Sequence, residues 1–252
     1  MNSEKNFLAS YRPEDYPATA VTVDLVVLAV ARGALHVALV RRGEHPFKDA
    51  LALPGGFLHP DEDALHAAWR ELAEETGMAL PSPEAHVEQL ASYSAPDRDP
   101  RMRIVSIAHL VLLATDGNTL PPLSAGSDAA GAEWSPVHKT LKGELAFDHS
   151  AILRDGLERL SGKMEYTLIA ARLLPETFTV TQLRTVYDAV WDTSLPAGNF
   201  TRKMMPQLHD TGQKVRAATG GAPAALFSAT DKHIHPPLAR PAGARGSAAG
   251  AG

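Results

Sequence analysis

Residues 55–78 constrain the fold of this chain most, because they combine a glycine pair, the apolar periodicity of an amphipathic helix and six carboxylates. The periodicity predicts a helix over residues 63–76. In that helix Glu71, Glu74 and Glu75 stand at i, i+3 and i+4, so their carboxylates share one face. Like charges at this spacing repel by about a few tenths of a kcal/mol per pair. A purely solvated acidic helix would leave that cost unexplained.

A bound divalent cation explains the acidic face. Carboxylate oxygens, completed by water and substrate phosphates, are the ligands that magnesium prefers. Arg70 is spaced i, i+4 from Glu74 and is able to reach back to Glu62, which would hold a ligand carboxylate in position. Gly55 and Gly56 allow a sharp backbone turn that leaves a carbonyl group free to approach the metal.

These residues fill every position of the Nudix box. Gly56 is followed six residues later by Glu62, and residues 70–78 read Arg-Glu-Leu-Ala-Glu-Glu-Thr-Gly-Met. The chain therefore resembles the Nudix hydrolase superfamily. That resemblance implies an α/β/α Nudix sandwich, cleavage of a nucleoside diphosphate linked to another group, and Mg²⁺ or Mn²⁺ as cofactor. It also implies site roles: Glu71, Glu74, Glu75 and the Gly56 carbonyl as metal ligands, and Arg70 and Glu62 as supports of the catalytic carboxylates.

Strand-like segments surround the predicted helix. They are rich in β-branched and apolar residues, and they cover residues 19–30, 34–42, 50–57, 86–95, 104–114 and 130–137. Because they do not alternate regularly with helices, they favour a mixed sheet in an α/β sandwich over a Rossmann domain. We assign residues 1–16 to an N-terminal extension and residues 17–147 to the Nudix domain.

Arginines at strand ends and in loops of this domain are candidate phosphate ligands, with ordinary solvated charges as the alternative. The segments "PFKDALALPGGF" and "LAFDHSAIL" resemble the branch of the family that recognises ADP-ribose. Asp148 and His149 fit that branch's Asp-His pair, although a helix-capping Asp beside a packed His fits equally well. The predicted substrate-binding residues are Arg41, Arg42, Arg98, Arg101, Asp148 and His149.

The chain changes character after residue 147. Helical periodicity covers residues 153–160, 164–174, 183–191 and 200–208, and the segment "KVRAATGGAPAALFSA" predicts two short strands around a Gly-Gly turn. The last three of these helices, followed by the hairpin, are in the order of a winged helix-turn-helix domain, and we place that domain at residues 148–230. Residues 231–252 are rich in Pro, Ala and Gly, and we predict a disordered tail there.

A Nudix domain followed by a winged helix resembles the Nudix-related transcriptional regulators of NAD metabolism. The resemblance implies that the Nudix domain senses ADP-ribose and that the winged helix binds operator DNA as a homodimer. By the usual docking geometry, the helix that holds Asn199, Arg202 and Lys203 would enter the major groove, and the wing would meet phosphates. The predicted DNA-binding residues are Arg184, Asn199, Arg202, Lys203, Lys214 and Arg216; a partner-binding helical domain with surface charges is the alternative.

Charge and composition limit the other possibilities. Residues 1–149 carry 12 basic and 21 acidic groups, residues 150–230 carry 9 and 7, and residues 231–252 carry 3 and 1. An acidic N-terminal part and a mildly basic C-terminal part favour two modules with different partners. Cysteine is absent, which excludes disulfides and thiolate sites. The sequence has neither a signal peptide nor a run of about 18 apolar residues, so we expect a cytoplasmic protein without a membrane partner.

Three functional hypotheses stay open. The chain is a DNA-binding sensor, a dedicated ADP-ribose pyrophosphatase with a helical appendage, or both. Many related regulators have an eroded Nudix box, whereas every catalytic position is present here. We therefore predict a regulator that binds ADP-ribose and hydrolyses it with Mg²⁺ to AMP and ribose 5-phosphate.

Overall fold

The computed structural model describes residues 3–78, 85–124, 129–216, 222–229 and 233–244. The strands are β1 Ala20–Ala31, β2 Ala34–Arg42, β3 Leu51–Ala52, β4 Gly55–Phe57, β5 His86–Tyr93, β6 Ile104–Gly117, β7 Ala129–Pro136, β8 His209–Val215 and β9 Ala224–Ser228. The α-helices are α1 Ser3–Ser10, α2 Ala64–Thr76, α3 Val137–Thr140, α4 His149–Tyr166, α5 Val180–Trp191 and α6 Ala197–Met204, with short 3₁₀ helices at Pro13–Asp15, Ile169–Leu173 and Met205–Gln207.

Strands β1 to β7 form one mixed sheet, as the sequence predicts. Its order is β3-β2-β1-β6-β5, with β4 also pairing with β1 and β7 with β2. Strands β1 and β6 run parallel, and the other pairs are antiparallel. The central strand β1 is apolar almost throughout because both faces of the sheet are covered.

The two covering layers use alternate residues of β1. On one face Val23, Leu25 and Val27 pack with α2. On the other face Val26 and Leu28 pack with α4 and the helices that follow it. Successive side chains of a strand point to opposite faces, so this single strand builds both cores of the predicted α/β/α sandwich.

Helix α2 begins and ends with the capping residues that its sequence provides. The Asp63 side chain accepts hydrogen bonds from the amides of Leu65 and His66, at 3.0 and 2.9 Å. Gly77 ends the helix in a left-handed conformation with φ 69°. Asp63 thus fixes where the helix begins. With that start, Leu72 faces the core, and Glu71 and Glu75 face β4.

Helix α4 lies between the two predicted domains. Leu153 and Leu157 of α4 are buried on the β-sheet. At Gly156 an added Cβ would lie 3.0 Å from Val26 of β1, so helix and sheet are in direct contact. The second half of α4 also accepts hydrogen bonds from Tyr187 and Trp191 of α5. Because α4 contacts both parts, the boundary between residues 147 and 148 stays a prediction.

The winged helix follows as predicted in order. Thr179 and Gln182 form a capping box at the start of α5, and the predicted stripe through Tyr187 and Trp191 is buried. Helix α6 buries Phe200. Strands β8 and β9 pair as the wing, while the predicted Gly-Gly turn lies outside the described residues.

The predicted disordered tail is wrong for residues 233–244. Ile234 and Leu238 are buried and join the main core, although the rest of this segment is Pro/Ala-rich. Two apolar side chains and backbone hydrogen bonds suffice to hold a short segment on a preformed surface. The rest of the predicted tail lies outside the described residues. Within the part of the chain that is described, no helix is both long and apolar enough to span a bilayer.

Candidate functional site

The glycine pair of β4 lies directly against the acidic face of α2. The Gly55 amide donates to Glu75 Oε2 at 2.9 Å. A Cβ atom on Gly56 would lie 2.2 Å from Glu71 Oε1, so any side chain at position 56 would displace that carboxylate. Glycine at position 56 therefore leaves the space that Glu71 occupies, and the pair places Glu71 and Glu75 beside the backbone of β4.

Arg70 connects the other acidic residues of the motif. Its guanidinium donates two hydrogen bonds to Glu62, Nε to Oε2 at 3.1 Å and Nη2 to Oε1 at 2.6 Å. It also donates to Glu71 Oε1 at 2.7 Å and Glu74 Oε2 at 3.1 Å. The hydrogen bonds from Arg70 lower the pKa of Glu62 to about 2. The contacts expected between Arg70, Glu62 and Glu74 are thus present.

Glu71 and Glu75 lie in a site that disfavours their charge. Burial, followed by the negative charge of Glu71, raises the pKa of Glu75 to about 8 despite the hydrogen bond from Gly55. Burial also raises the pKa of Glu71, against the opposing effect of Arg70. Two largely buried carboxylates that resist ionisation are stabilised by a nearby cation.

The three glutamates do not converge as the sequence predicts. Glu74 is exposed and bonded to Arg70, and among the described residues no three acidic or histidine side chains lie close enough to hold one metal ion. Glu71 and Glu74 instead share one nitrogen of Arg70, Nη1, as hydrogen-bond donor. The donor set still fits a hard divalent cation, because Glu71 and Glu75 offer oxygen ligands beside a glycine that leaves room. The metal-binding roles of Glu71, Glu74, Glu75 and Gly56 stay predictions.

Three phenylalanines and two arginines form a cluster next to this site, which we call the Phe–Arg cluster: Phe47, Phe57, Phe147, Arg42 and Arg101. The Arg42 guanidinium carbon lies 4.8 Å from the Phe147 ring centroid. Arg101 lies 5.4 Å from the Phe57 centroid and 5.8 Å from that of Phe147. The charges of Arg42 and Glu75 interact, so the cluster adjoins the acidic site.

The backbone of the Phe–Arg cluster is strained. Phe47 and Phe147 adopt left-handed conformations, with φ of 60° and 55°, and their ring centroids are 4.8 Å apart. Such conformations cost about 1–3 kcal/mol for a residue with a side chain, and they concentrate at functional sites. Phe47 is also exposed. Strain and exposure together mark the cluster as a candidate ligand-binding surface.

Arg41 does not join this cluster. Its Nη1 donates to the Asp49 carbonyl oxygen at 2.8 Å, and its Nη2 lies 3.8 Å from Glu133 Oε2. Adjacent residues of a strand point to opposite faces, so Arg41 and Arg42 of β2 diverge. Of these two candidate phosphate ligands, Arg42 therefore lies in the Phe–Arg cluster and Arg41 does not, and the phosphate-binding role of each stays a prediction.

Arg98 is a buried ion-pair partner and not a loop residue open to phosphate. It donates to both Asp148 oxygens, at 2.9 and 2.7 Å, and to Asp24 Oδ2 at 3.2 Å. Only 4% of its side chain is exposed. Ser106 Oγ donates to Asp24 Oδ2 at 2.5 Å and completes the contacts of that oxygen. Arg98 and Asp148 thus connect β1, the loop before β6 and the start of α4.

His149 belongs to the same buried group of charges. Its Nδ1 accepts a hydrogen bond from the Leu53 amide at 2.9 Å, and its Nε2 lies 3.4 Å from Asp24 Oδ1. Arg98, Asp148 and His149 thus share contacts that fix the chain just before Gly55. Their predicted substrate contacts stay predictions. The alternative of a capping Asp is wrong, since the Asp148 side chain makes no capping hydrogen bond.

We expect His149 to lower protein stability as the pH drops from 7.5 to 5.5, while Glu75, whose pKa is raised, acts in the opposite direction. Burial lowers the pKa of His149, against the charges of Asp24 and Asp148 and with those of Arg98 and Arg42. Below about pH 6.5 the unfolded chain therefore binds a proton that the folded chain resists, and each such group destabilises the fold by up to about 1.4 kcal/mol per pH unit.

The test is urea unfolding at both pH values for the wild type and His149→Gln. On acidification the unfolding free energy of the variant should fall less, or rise more, than that of the wild type, whatever its stability at pH 7.5. An exposed control, His66→Gln, should keep the wild-type pH dependence. Equal pH dependence in wild type and His149→Gln would contradict the assignment.

The predicted DNA-binding residues have different surroundings. Asn199 and Arg202 of α6 are exposed and bonded to each other at 3.1 Å, and Lys214 and Arg216 are exposed on the wing. Arg184 instead donates to Asp188 and to the Leu195 carbonyl, both at 3.1 Å. Lys203 Nζ donates to the Pro237 carbonyl at 2.8 Å. Arg184 and Lys203 thus have internal partners that the sequence did not predict.

Sequence reasoning missed four residues of the site: Asp24, Phe47, Phe57 and Phe147. Asp24 had a visible signal, since it is the lone acid in an apolar strand and such a residue needs a buried partner. The phenylalanines had none, because the chain brings Phe47 and Phe147 together across about 100 residues of sequence.

Comparisons with known proteins agree with both halves of the fold. The family model described as the NUDIX domain matches residues 19–156, and that described as the NrtR DNA-binding winged helix domain matches residues 170–229. The first match extends into α4, in keeping with the packing of that helix on the sheet.

Relatives cover most of the chain. The ADPR responsive transcriptional repressor NtrR of Acinetobacter baylyi is 34% identical over 230 residues, 90% of this chain and 88% of the repressor. The ADP-ribose pyrophosphatase of Methanocaldococcus jannaschii is 36% identical over 159 residues, 63% of this chain and 84% of that enzyme. The crystal structure of Shewanella oneidensis NrtR complexed with a 27mer DNA has a TM-score of 0.72 and 29% identity, covering 87% of this chain and 99% of that one.

Proposed function

Because this chain belongs to the Nudix superfamily, among its NrtR-type transcriptional regulators, we propose that it binds ADP-ribose in the Nudix domain and duplex DNA through the winged helix. We further propose that ADP-ribose weakens DNA binding and that the Nudix site hydrolyses the ligand. The observation that carries the ligand site is the packing of Gly55 and Gly56 on Glu75 and Glu71, with Arg70 beside them.

The acidic site and the Phe–Arg cluster offer complementary surfaces for the two ends of such a ligand. Glu71 and Glu75, joined by Glu74 if Arg70 releases it, would hold Mg²⁺ or Mn²⁺. When bound, the metal would neutralise the diphosphate and lower the barrier to attack by water. Arg42 would add positive charge on the opposite side of the diphosphate. The exposed Phe47 ring would stack on a flat group of the ligand.

The DNA-binding surface is proposed from exposed polar residues of α6 and the wing. Asn199 and Arg202 of α6 would meet base edges or phosphates in the major groove, and Lys214 and Arg216 would meet phosphates. Arg184 would act indirectly, because its hydrogen bond to the Leu195 carbonyl connects α5 to the segment before α6. A homodimer is part of this proposal, because two winged helices on one duplex would match the symmetry of a palindromic site.

A second function, that of a dedicated pyrophosphatase, is favoured by one observation. Every position of the box is filled, and Arg70 contacts Glu62, Glu71 and Glu74 together. The two functions are separated by a gel-shift titration with duplex DNA taken from upstream of NAD-biosynthesis genes of the source genome. Binding that ADP-ribose weakens supports the regulator, and absence of binding with intact hydrolysis supports the enzyme.

A further inference from the structure

Residues 233–244, which we call the strap, lie along the end of α4. The Ile234 amide donates to the Tyr166 carbonyl at 2.9 Å, and the Leu238 amide donates to the Glu165 carbonyl at 2.7 Å. Both apolar side chains are buried, with 2% and 8% of their surface exposed. Backbone hydrogen bonds together with burial indicate a docked segment and not an incidental surface contact.

Arg240 connects the strap to α4 through two ion pairs. Its side chain is only 8% exposed and pairs with Glu158 at 3.0 Å and Glu165 at 2.8 Å. A Cβ on Gly162 would lie 3.6 Å from Arg240 Nη2, so the guanidinium crosses the helix surface at a position without a side chain. The guanidinium is thus shielded from solvent, whereas Glu158 and Glu165 are partly exposed, and removing Arg240 would take this partner from both carboxylates.

The strap also contacts the recognition helix of the proposed DNA-binding surface. Lys203 of α6 donates to the Pro237 carbonyl at 2.8 Å. Just after α6, Gln207 Nε2 donates to the His235 carbonyl at 2.9 Å. The strap therefore bridges α4, which packs on the sheet, and α6, which belongs to the winged helix.

The other end of α4 lies at the proposed ligand site. Asp148, immediately before α4, is paired with Arg98, and His149, its first residue, accepts from the Leu53 amide two residues before Gly55. A helix of 18 residues spans about 27 Å as a stiff element. One helix thus contacts the ligand site at its start and the strap in its second half.

We propose that the strap couples the Nudix site to DNA binding: a shift of α4 caused by ligand would reach α6 through Arg240 and the Lys203 and Gln207 contacts. This inference rests on the proposed function, since it needs both ligand and DNA to bind. The strap lies beyond residues 170–229, which match the winged-helix model. Coupling of this kind is reciprocal, so DNA would weaken ADP-ribose binding by the same factor.

The experiment measures the ratio of DNA dissociation constants with and without saturating ADP-ribose, in full-length wild type and in Arg240→Ala. The wild-type ratio should fall in the range of about 5 to 150 that allosteric coupling usually spans. Arg240→Ala should bring it to within about twofold of one, with ADP-ribose binding to the DNA-free protein retained. Arg154→Ala, which removes an exposed arginine of the same helix, should keep the wild-type ratio.

A second variant keeps the test decisive. If Arg240→Ala does not fold, the paired variant Glu158→Gln with Glu165→Gln removes the same contacts from the α4 side and should lower the ratio equally. A large wild-type ratio that both sets of variants preserve would overturn the strap as the coupling element. No binding of DNA or of ADP-ribose by the wild type would instead refute the proposed function, and the coupling with it.

Discussion

Glu75→Gln should reduce the rate of ADP-ribose hydrolysis by at least about 100-fold. Loss of a residue that only supports a metal ligand lowers activity by up to about 100-fold, and Glu75 is itself a predicted ligand. The substitution removes one charge from a largely buried carboxylate that lies beside the Gly55 amide and the charge of Glu71. With that charge gone, the site would attract a divalent cation less strongly. Release of AMP in the presence of Mg²⁺ or Mn²⁺ measures the effect.

The matched control is Glu144→Gln, the same change at an exposed residue before α4. It should hydrolyse ADP-ribose at the wild-type rate. Hydrolysis by Glu75→Gln at the wild-type rate would exclude Glu75 from the catalytic site. No hydrolysis by the wild type itself, across nucleoside diphosphate derivatives, would leave a site that binds its ligand without turnover.

Arg98→Met should lower the free energy of unfolding by about 3–5 kcal/mol, the usual cost of removing one partner from a buried ion pair. It would leave Asp24 and Asp148 without their shared guanidinium. Urea unfolding measures the loss. Arg103→Met, an exposed arginine in the same loop, should cost no more than about 1 kcal/mol.

A double variant makes the Arg98 prediction specific. Arg98→Met combined with Asp148→Asn removes one of the two stranded charges, so the pair should cost clearly less than the sum of the single losses. Strict additivity of the two losses would show that Arg98 and Asp148 do not interact, and an Arg98→Met cost near that of Arg103→Met would show that the pair is not buried in solution.

Local patterns were enough to predict the elements of this fold. The α2 helix, with Asp63 before it and Gly77 after it, was readable because caps and periodicity act over a few residues. The order of the helices and strands of the winged helix was predictable for the same reason. The resemblance to the Nudix family then placed these elements in a known arrangement.

Long-range partners were not predictable. Arg98 resembled a solvated arginine because its partners Asp24 and Asp148 lie 74 and 50 residues away. Lys203 looked available to DNA, whereas its partner Pro237 belongs to a segment whose composition predicted disorder. The contacts of helix α4 with both the sheet and α5 were not predictable, because its periodicity shows a buried face without showing what covers it.

The most direct test of the central claim is a gel-shift titration of full-length wild type and Glu75→Gln on duplex DNA from upstream of NAD-biosynthesis genes, with and without ADP-ribose and Mg²⁺. We predict salt-sensitive binding, since phosphate contacts release counterions, weakened by ADP-ribose at least about fivefold in both proteins. In the wild type this effect should fade as the ligand is hydrolysed, whereas in Glu75→Gln, given ADP-ribose at a concentration that saturates the variant, it should persist. DNA binding that ADP-ribose leaves unchanged in both proteins would contradict the account.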